Sequence, residues 1–194
     1  MSHRIDALIR AGETLILLLG RFERAGYKNS SAAYDLLRDV RQQLPRVRLL
    51  ILDSGHDCAV PEDLEGAVEL LGAPDDHALQ YVMRNCAAGV TMSLWEGFNL
   101  PLAEMQWLNK PAFAYNIGAH PEVIADPWLL SDSLAEMVAK VCNLLQGNAP
   151  TALEARFTAF RQRQSWKITL DKWEDEINEL GFPRATVELK DTRK

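Results

Sequence analysis

The sequence has little of what disulfide-linked, membrane-spanning or exported proteins require. Its three cysteines, Cys58, Cys86 and Cys142, are an odd number without the spacing of metal ligands, which predicts reduced side chains in a cytoplasmic protein. No apolar run reaches the ~18 residues of a membrane span. The polar residues of the segment Ser2–Asp6 also interrupt any run typical of a signal peptide. We therefore expect a chain without a membrane segment or a leader.

Two further absences concern function. The 194 residues carry a net charge of −6, whereas nucleic-acid-binding proteins generally present a basic face. No G-x-G-x-x-G motif follows the first predicted strand, Thr14–Leu19, which argues against a nicotinamide-binding enzyme. We therefore expect neither a nucleic-acid-binding protein nor a dehydrogenase.

What the sequence does contain is a series of buried strands alternating with helices. Hydrophobic residues make up 47% of the chain, enough for one domain with a sizeable core. The runs Thr14–Leu19 and Val47–Leu52 are continuously apolar, as in parallel strands buried on both faces. Shorter strands are predicted at Val68–Leu71, Gly89–Met92, Pro111–Tyr115 and Trp128–Leu130, and helices at about 32–44, 76–85, 100–108, 133–145, 151–164 and 166–180. The alternation predicts an α/β protein with a Rossmann-like parallel sheet flanked by helices.

The same pattern divides the chain into three segments. Residues 1–13 are predicted to be a linker or a short helix, because their apolar side chains share one helical face. Residues 14–182 are predicted to be the Rossmann-like domain. The charged residues 183–194 are predicted to be a flexible tail.

The rest of the chain is organised around Ser93–Glu104, predicted to be a strand-to-helix loop and the start of a helix. Pro101 suits the first turn of a helix, where its missing N–H would have no partner in any case. The free N–H groups of residues 97–100 and the positive helix end favour a phosphate group. Glu96 in the loop and Glu104, predicted on the opening turn, can accept hydrogen bonds from hydroxyl-rich groups such as ribose or hexose.

The spacing within this segment resembles a known signature. Glu96 and Glu104 are eight residues apart, with Gly-Phe following the first and Leu-Pro-Leu-Ala preceding the second. This is similar to the E-x7-E signature of retaining glycosyltransferases of the GT-B fold, especially glycosyltransferase family 4 (group 1). The resemblance runs from about Thr14 to Leu180 and covers one half of such an enzyme, its C-terminal, nucleotide-sugar-binding domain. An isolated pair of glutamates would be a solvated loop acid and a helix-start acid, but the flanking residues favour the family.

The resemblance implies roles for residues in several loops. Glu96, Arg21 and Lys28 match the family's catalytic positions, the last two being the basic pair that grips the donor's pyrophosphate. The substrate-binding positions that it implies are Glu104, Gly97, Phe98, Asn99, Leu100, Leu71 and Gly118. It implies no cofactor and no metal, because the donor substrate is a nucleoside-diphosphate sugar and the family generally works without a divalent cation. No Asp-x-Asp stands beside the central loop either.

Some of these residues also have simpler structural interpretations. Taken alone, Arg21 and Lys28 would be surface cations in a chain with 21 Lys and Arg residues, and the central loop is what favours a functional role. Arg24 is a possible substitute for either. Glu122 is as well explained by capping of a helical turn as by a ligand contact. His120 has no visible nucleophile as a partner, so we interpret it as a packing or capping residue.

The sequence also departs from the family pattern. Asn99 stands where the family usually has glycine, and although asparagine tolerates a positive φ, its side chain could crowd the sugar. Asn109 likewise replaces a glycine after the helix. The half of the enzyme that supplies the acceptor site and the other wall of the cleft is missing.

Two functions from different classes follow. The first is the donor-binding domain of a retaining glycosyltransferase of the hexosyltransferase type, which we expect to be inactive without its N-terminal half. The second is a degenerate, non-catalytic module that binds a nucleotide or a protein. The first implies two partners, a nucleotide sugar and the missing acceptor domain from the same gene or a partner chain, and a location in the cytoplasm or, at full length, at the inner membrane surface.

Overall fold

The computed structural model of the protein describes residues 1–23, 26–53 and 58–181. The chain divides into two units, Met1–Phe160 and Arg161–Lys194. The first unit contains the strands β1 (Thr14–Arg21), β2 (Val47–Leu52), β3 (Val68–Leu70), β4 (Ala88–Val90), β5 (Ala112–Tyr115) and β6 (Leu130–Ser131). Their order is β3-β2-β1-β4-β5-β6 and each neighbouring pair is parallel, which confirms the predicted Rossmann-like α/β fold.

The position of β1 at the centre of the sheet follows from its sequence. The side chains from Leu15 to Leu19 are all buried, because both faces of the sheet are covered. In the register of the sheet, Leu17 lies opposite Leu50 of β2 on one side and Gly89 of β4 on the other. A Cβ atom at Gly89 would lie 3.0 Å from the side chain of Leu19. A glycine at position 89 therefore leaves the space that Leu19 fills.

Helices connect and cover the strands. They are α1 (Ser2–Arg10), α2 (Ala32–Gln43), α3 (Asp76–Asn85), α4 (Leu100–Trp107), α5 (His120–Val123), α6 (Leu134–Leu145), α7 (Leu153–Arg163) and α8 (Trp166–Glu179). The carboxylate of Asp75 accepts the Ala78 N–H and caps α3. At the start of α2, the N-cap residue Ser31 makes no side-chain cap hydrogen bond with the described residues. The hydroxyl of the preceding Ser30 accepts the N–H of Glu23 in the loop after β1.

Two sequence-based expectations about local structure are wrong. Glu104 does not lie on the opening turn of α4, because Asn99 is the N-cap and the helix begins at Leu100, which places Glu104 at the start of the second turn. Trp128 is not in a strand. Asp126 accepts the Trp128 N–H and starts a 3₁₀ turn at Pro127–Leu129, so β6 begins only at Leu130.

Residues 2–10 form a helix that belongs to the first unit. Ile5 of α1 is fully buried in the core. On its flanks, Arg4 forms an ion pair with Glu69 of β3, and Asp6 accepts a hydrogen bond from the hydroxyl of Tyr81 on α3. Of the two alternatives for the start of the chain, the short helix is the one observed.

The sheet reverses its winding direction between β1 and β4. The chain proceeds from β1 outward to β2 and β3, then returns to the other side of β1 to form β4, β5 and β6. In open α/β sheets, ligands bind outside the carboxyl ends of the strands at such a switch point. The loops after β1 and β4 flank this point. Arg21 is the last residue of β1, Lys28 lies in the loop after it, and the loop after β4 contains Glu96.

The second unit is described up to residue 181 and contains α8. The helix is capped by Ser165, whose hydroxyl accepts the N–H of Ile168. Its two tryptophan side chains are exposed, Trp166 at 78% and Trp173 at 57%. The predicted tail at 183–194 lies outside the described residues. None of the helices in the described ranges is long and apolar enough to cross a membrane.

Candidate functional site

A pocket of about 300 Å³ lies at the carboxyl edge of the sheet, on the β2–β3 side of the switch point. The end of β1 supplies Gly20 and Arg21, the turn after β3 supplies Gly72–Pro74, and α4 supplies Pro101 and Glu104. The remaining walls are apolar and consist of Leu17, Leu19, Leu52, Leu79 and Met83. An apolar cavity with a cation and a carboxylate at its edges is typical of a small-molecule binding site.

Among the described residues that line this pocket, Glu104 is the only acid. The residue as a whole is exposed, but partial desolvation of its carboxyl and the negative charge of Asp76 raise the pKa of Glu104. No hydrogen-bond partner for this carboxylate is found among the described residues. A carboxylate in this position can accept hydrogen bonds from the hydroxyl groups of a ligand.

Arg21 reaches the same pocket but is paired with a neighbour. Its guanidinium group lies 2.7 Å from the carboxylate of Glu23, and the side chain is 74% exposed. The hydrogen bond and the charge of Glu23 raise the pKa of Arg21. The exposed guanidinium remains accessible to an anion that competes with Glu23.

Lys28 and Glu96, the other predicted catalytic residues, form an ion pair with each other. The Lys28 Nζ atom lies 2.5 Å from a carboxylate oxygen of Glu96, and the side chains are only 21% and 12% exposed. The backbone holds the two loops together, because the Leu94 N–H donates to the Tyr27 carbonyl at 2.7 Å. The loops after β1 and β4 therefore meet across the switch point through both side chain and backbone.

Gly118, in the loop after β5, lies close to the backbone of Glu96. Its φ of +58° is in the left-handed region, and a Cβ there would lie 3.3 Å from the Glu96 carbonyl oxygen. That oxygen accepts the Ala119 N–H at 3.3 Å. The glycine lets the loop after β5 approach the central loop and support the backbone of Glu96.

Asn99 adopts a left-handed backbone conformation at the start of α4. Its φ is +70°, as expected for a residue that replaces glycine, but the side chain turns inward and is 8% exposed. The Asn99 amide nitrogen lies 3.0 Å from Nε2 of His120, which is fully buried. The interpretation of His120 as a packing residue is confirmed, whereas crowding of a sugar by Asn99 stays a prediction. Sequence reasoning missed their contact, because the residues lie 21 positions apart.

The backbone N–H groups of residues 97–100 lie at the start of α4. Within the described part of the chain they have no hydrogen-bond partner. The side chains of Phe98 and Leu100 are exposed, and so is Gly97.

Leu71 is buried at the end of β3, where its N–H donates to the carbonyl of Ile51, and it lies next to the turn Gly72–Pro74 that lines the pocket. Arg24, the possible substitute cation, lies outside the described residues.

The described residues offer no group of three or more His, Cys, Asp and Glu side chains that could hold a metal ion.

Asn109, the second departure from the family pattern, has a φ of +60° after α4 and thus takes the conformation that glycine would adopt there.

Comparisons with known proteins agree on one family and one fold. A family model described as "Glycosyl transferases group 1" matches residues 2–146. The O-antigen chain mannosyltransferase B of Escherichia coli is 34% identical over 68 residues, which are 35% of this chain and 18% of that protein. The sequence match therefore covers only a minor part of either protein.

The fold of most of the chain is similar to that of solved structures. The pneumococcal O-GlcNAc transferase GtfA, in complex with UDP and GlcNAc, has a TM-score of 0.70 at 20% identity over 89% of this chain. A UDP-forming trehalose-phosphate synthase from Burkholderia xenovorans has a TM-score of 0.73 at 15% identity over 93% of it. At this identity, the likeness concerns the fold. The chain spans 37% and 47% of these two proteins' lengths.

Proposed function

Because the chain belongs to the group 1 glycosyl transferases, we propose that it is the nucleotide-sugar-binding half of a retaining glycosyltransferase. The observation that carries this proposal is that Arg21 and Glu104 line one apolar pocket at the switch point of the sheet. An apolar wall suits a nucleobase and the carbon face of ribose, a carboxylate suits ribose hydroxyls, and a cation suits a phosphate. The partial length relative to its neighbours supports a second, acceptor-binding half in the same gene or in a partner chain.

The proposed chemistry is departure of the nucleoside diphosphate from the donor sugar. When the bond between the anomeric carbon and the phosphate oxygen breaks, its electron pair stays on that oxygen and the diphosphate gains negative charge. Lys28, Arg21 and the free N–H groups of residues 97–100 would stabilise this charge. Glu96, held by Lys28, would accept a hydrogen bond from a hydroxyl of the donor sugar.

We expect a nucleoside diphosphate to stabilise the chain. A ligand at a hundredfold excess over its Kd contributes about 2.7 kcal/mol, which raises the Tm by several degrees for a chain of this size. Thermal shift with UDP, GDP and ADP should identify the preferred base. UDP is the first candidate because the GtfA structure contains it.

Two variants make this measurement specific to the pocket. Glu104→Ala should reduce the shift, because the ribose hydroxyls lose their acceptor. Glu65→Ala, at an exposed acid after the 3₁₀ turn Glu62–Leu64, is the matched control and should leave the shift unchanged. If no nucleotide raises the Tm at millimolar concentration, the donor-domain proposal fails and a non-catalytic module becomes the better account.

The ion pair between Arg21 and Glu23 leads to a gain-of-affinity prediction. Glu23→Gln removes the carboxylate that competes with the diphosphate for the guanidinium, so Kd for the diphosphate should fall about two- to fivefold, a small effect because the ion pair is exposed to solvent. Calorimetric titration of this variant and of Glu65→Ala with the diphosphate gives the comparison. An unchanged or higher Kd for Glu23→Gln would mean that Arg21 does not contact phosphate.

A further inference from the structure

We propose that Asn99 and His120 are a pair of positioning residues that holds the start of α4 and the N–H groups of residues 97–100 in place, and that this pair works only while His120 is neutral. The inference rests on the proposed function insofar as those N–H groups bind a phosphate. The pair itself is a property of the fold and can be tested without a ligand.

The hydrogen bonds of His120 determine which ring nitrogen carries the proton. Nδ1 lies 2.9 Å from the carbonyl oxygen of Tyr115 at the end of β5, and a carbonyl can only accept, so Nδ1 carries the hydrogen. In the neutral ring, Nε2 is then an acceptor. It receives a hydrogen bond at 3.0 Å from the amide nitrogen of Asn99.

The amide of Asn99 is oriented by this bond. Its nitrogen points to His120 and also lies 3.3 Å from the hydroxyl of Thr91, which leaves its oxygen to accept the N–H of Leu102 at 3.3 Å. That last contact is the side-chain cap of α4. His120 thus sets the amide orientation on which the helix cap depends, directly next to the N–H groups at 97–100.

Protonation of His120 would reverse this arrangement. The protonated ring has two donors, so Nε2 would face the amide hydrogens of Asn99 with no acceptor between them. Rotating the amide would satisfy Nε2 but would turn the nitrogen of Asn99 toward the Leu102 N–H and remove the cap. Both orientations leave one pair of donors facing each other in a buried site, where an unsatisfied group is costly.

The surroundings favour the neutral ring. Burial lowers the pKa of His120, the Tyr115 carbonyl and the carboxylate of Glu96 act to raise it, and the ammonium group of Lys28 lowers it. In the unfolded chain, the pKa of a histidine is 6.5. Below pH 6.5 the unfolded chain therefore binds a proton that the folded chain resists, so stability falls as the pH drops from there toward the folded pKa. Above pH 6.5, His120 contributes no pH dependence.

The direct test is an NMR titration of the unliganded chain from about pH 7.5 to about pH 5. The ring nitrogens of His120 should show a proton on Nδ1 at high pH, and the amide signals of Phe98 and Leu102 should move with the same midpoint as the ring. His120→Gln keeps a neutral acceptor and should abolish these movements. Asn99→Gly suits the positive φ, and in it the ring should still titrate while the Leu102 amide does not follow. His77→Gln, at an exposed histidine on α3, is the matched control and should behave like the unaltered chain.

Binding provides a second readout. For the unaltered chain and His77→Gln, Kd for UDP should rise about fivefold at low pH, as expected for the loss of a cap contributing about 1 kcal/mol. For His120→Gln, Kd for UDP should change by less than about twofold over the same pH range. Any pH response of UDP itself is common to all variants and cancels in this comparison.

Several results would overturn the inference. One is a proton on Nε2 instead of Nδ1, and another is a His120 ring that titrates while the amide signals of Phe98 and Leu102 do not move with it. A third is a His120→Gln variant whose loop amides titrate as in the unaltered chain. Failure of UDP to bind at any pH contradicts the proposed function alone, since the ring and amide signals still report on the pair.

Discussion

Lys28→Ala should weaken the binding of a nucleoside diphosphate by about 10- to 150-fold, the equivalent of about 1.5–3 kcal/mol for a hydrogen bond to a charged group. Two effects act in the same direction. The phosphates lose a cation that is only 21% exposed, and Glu96 becomes a poorly solvated carboxylate without its partner. An unpaired negative charge beside the diphosphate also repels it.

The two effects can be separated by a double-mutant cycle. Glu96→Gln removes the unpaired charge, so Lys28→Ala/Glu96→Gln should bind the diphosphate more tightly than Lys28→Ala alone. Calorimetric titration with UDP and with uridine distinguishes phosphate contacts from nucleoside contacts. Lys172→Ala, at an exposed lysine of α8, is the control for loss of a positive charge.

The outcome decides between a phosphate role and a purely structural role for Lys28. Loss of affinity for UDP with little change for uridine supports the phosphate role. An equal loss for both ligands would indicate that Lys28 only maintains the fold of the two loops. Unchanged UDP binding in Lys28→Ala would contradict its place in the site.

Phe113→Ala should destabilise the first unit by about 3–5 kcal/mol, the range for truncating a buried phenylalanine. Phe113 of β5 is fully buried, and its ring packs edge-on against Trp128 with the centroids 5.6 Å apart. The surrounding strand and 3₁₀ turn are parts of the core and can close around the cavity only partly. At about 2–4 °C for each kcal/mol, the Tm should fall by about 6–20 °C.

Urea denaturation measures this change, with a lower midpoint and an unchanged slope. The matched control is Phe98→Ala, the same chemical change at an exposed ring in the central loop, which should alter stability by no more than about 0.5 kcal/mol. A similar loss for both variants would mean that Phe98 packs more tightly than its exposure indicates. A loss below about 1 kcal/mol for Phe113→Ala would contradict the packing described for β5.

Several features could be predicted because they depend on neighbouring residues alone. The apolar runs at 14–19 and 47–52 predict β1 and β2, since strands buried on both faces exclude polar side chains. The start of α4 is set by Asn99, which caps it at a positive φ, and by Pro101 in its first turn. The spacing of Glu96 and Glu104 identified the family for the same reason, because it is a pattern within one short segment.

The arrangement of the site was decided only by the tertiary structure. Lys28 and Glu96 are 68 positions apart, and they meet because the sheet places β4 next to β1 instead of next to β3. The same strand order brings Arg21 and Glu104 to one pocket. The side chain of Asn99 contacts His120, the first residue of α5, which lies 21 positions away in the sequence. Such contacts depend on which strands become neighbours in the sheet. The pattern of residues within a strand reflects only the burial of that strand and does not specify its neighbours.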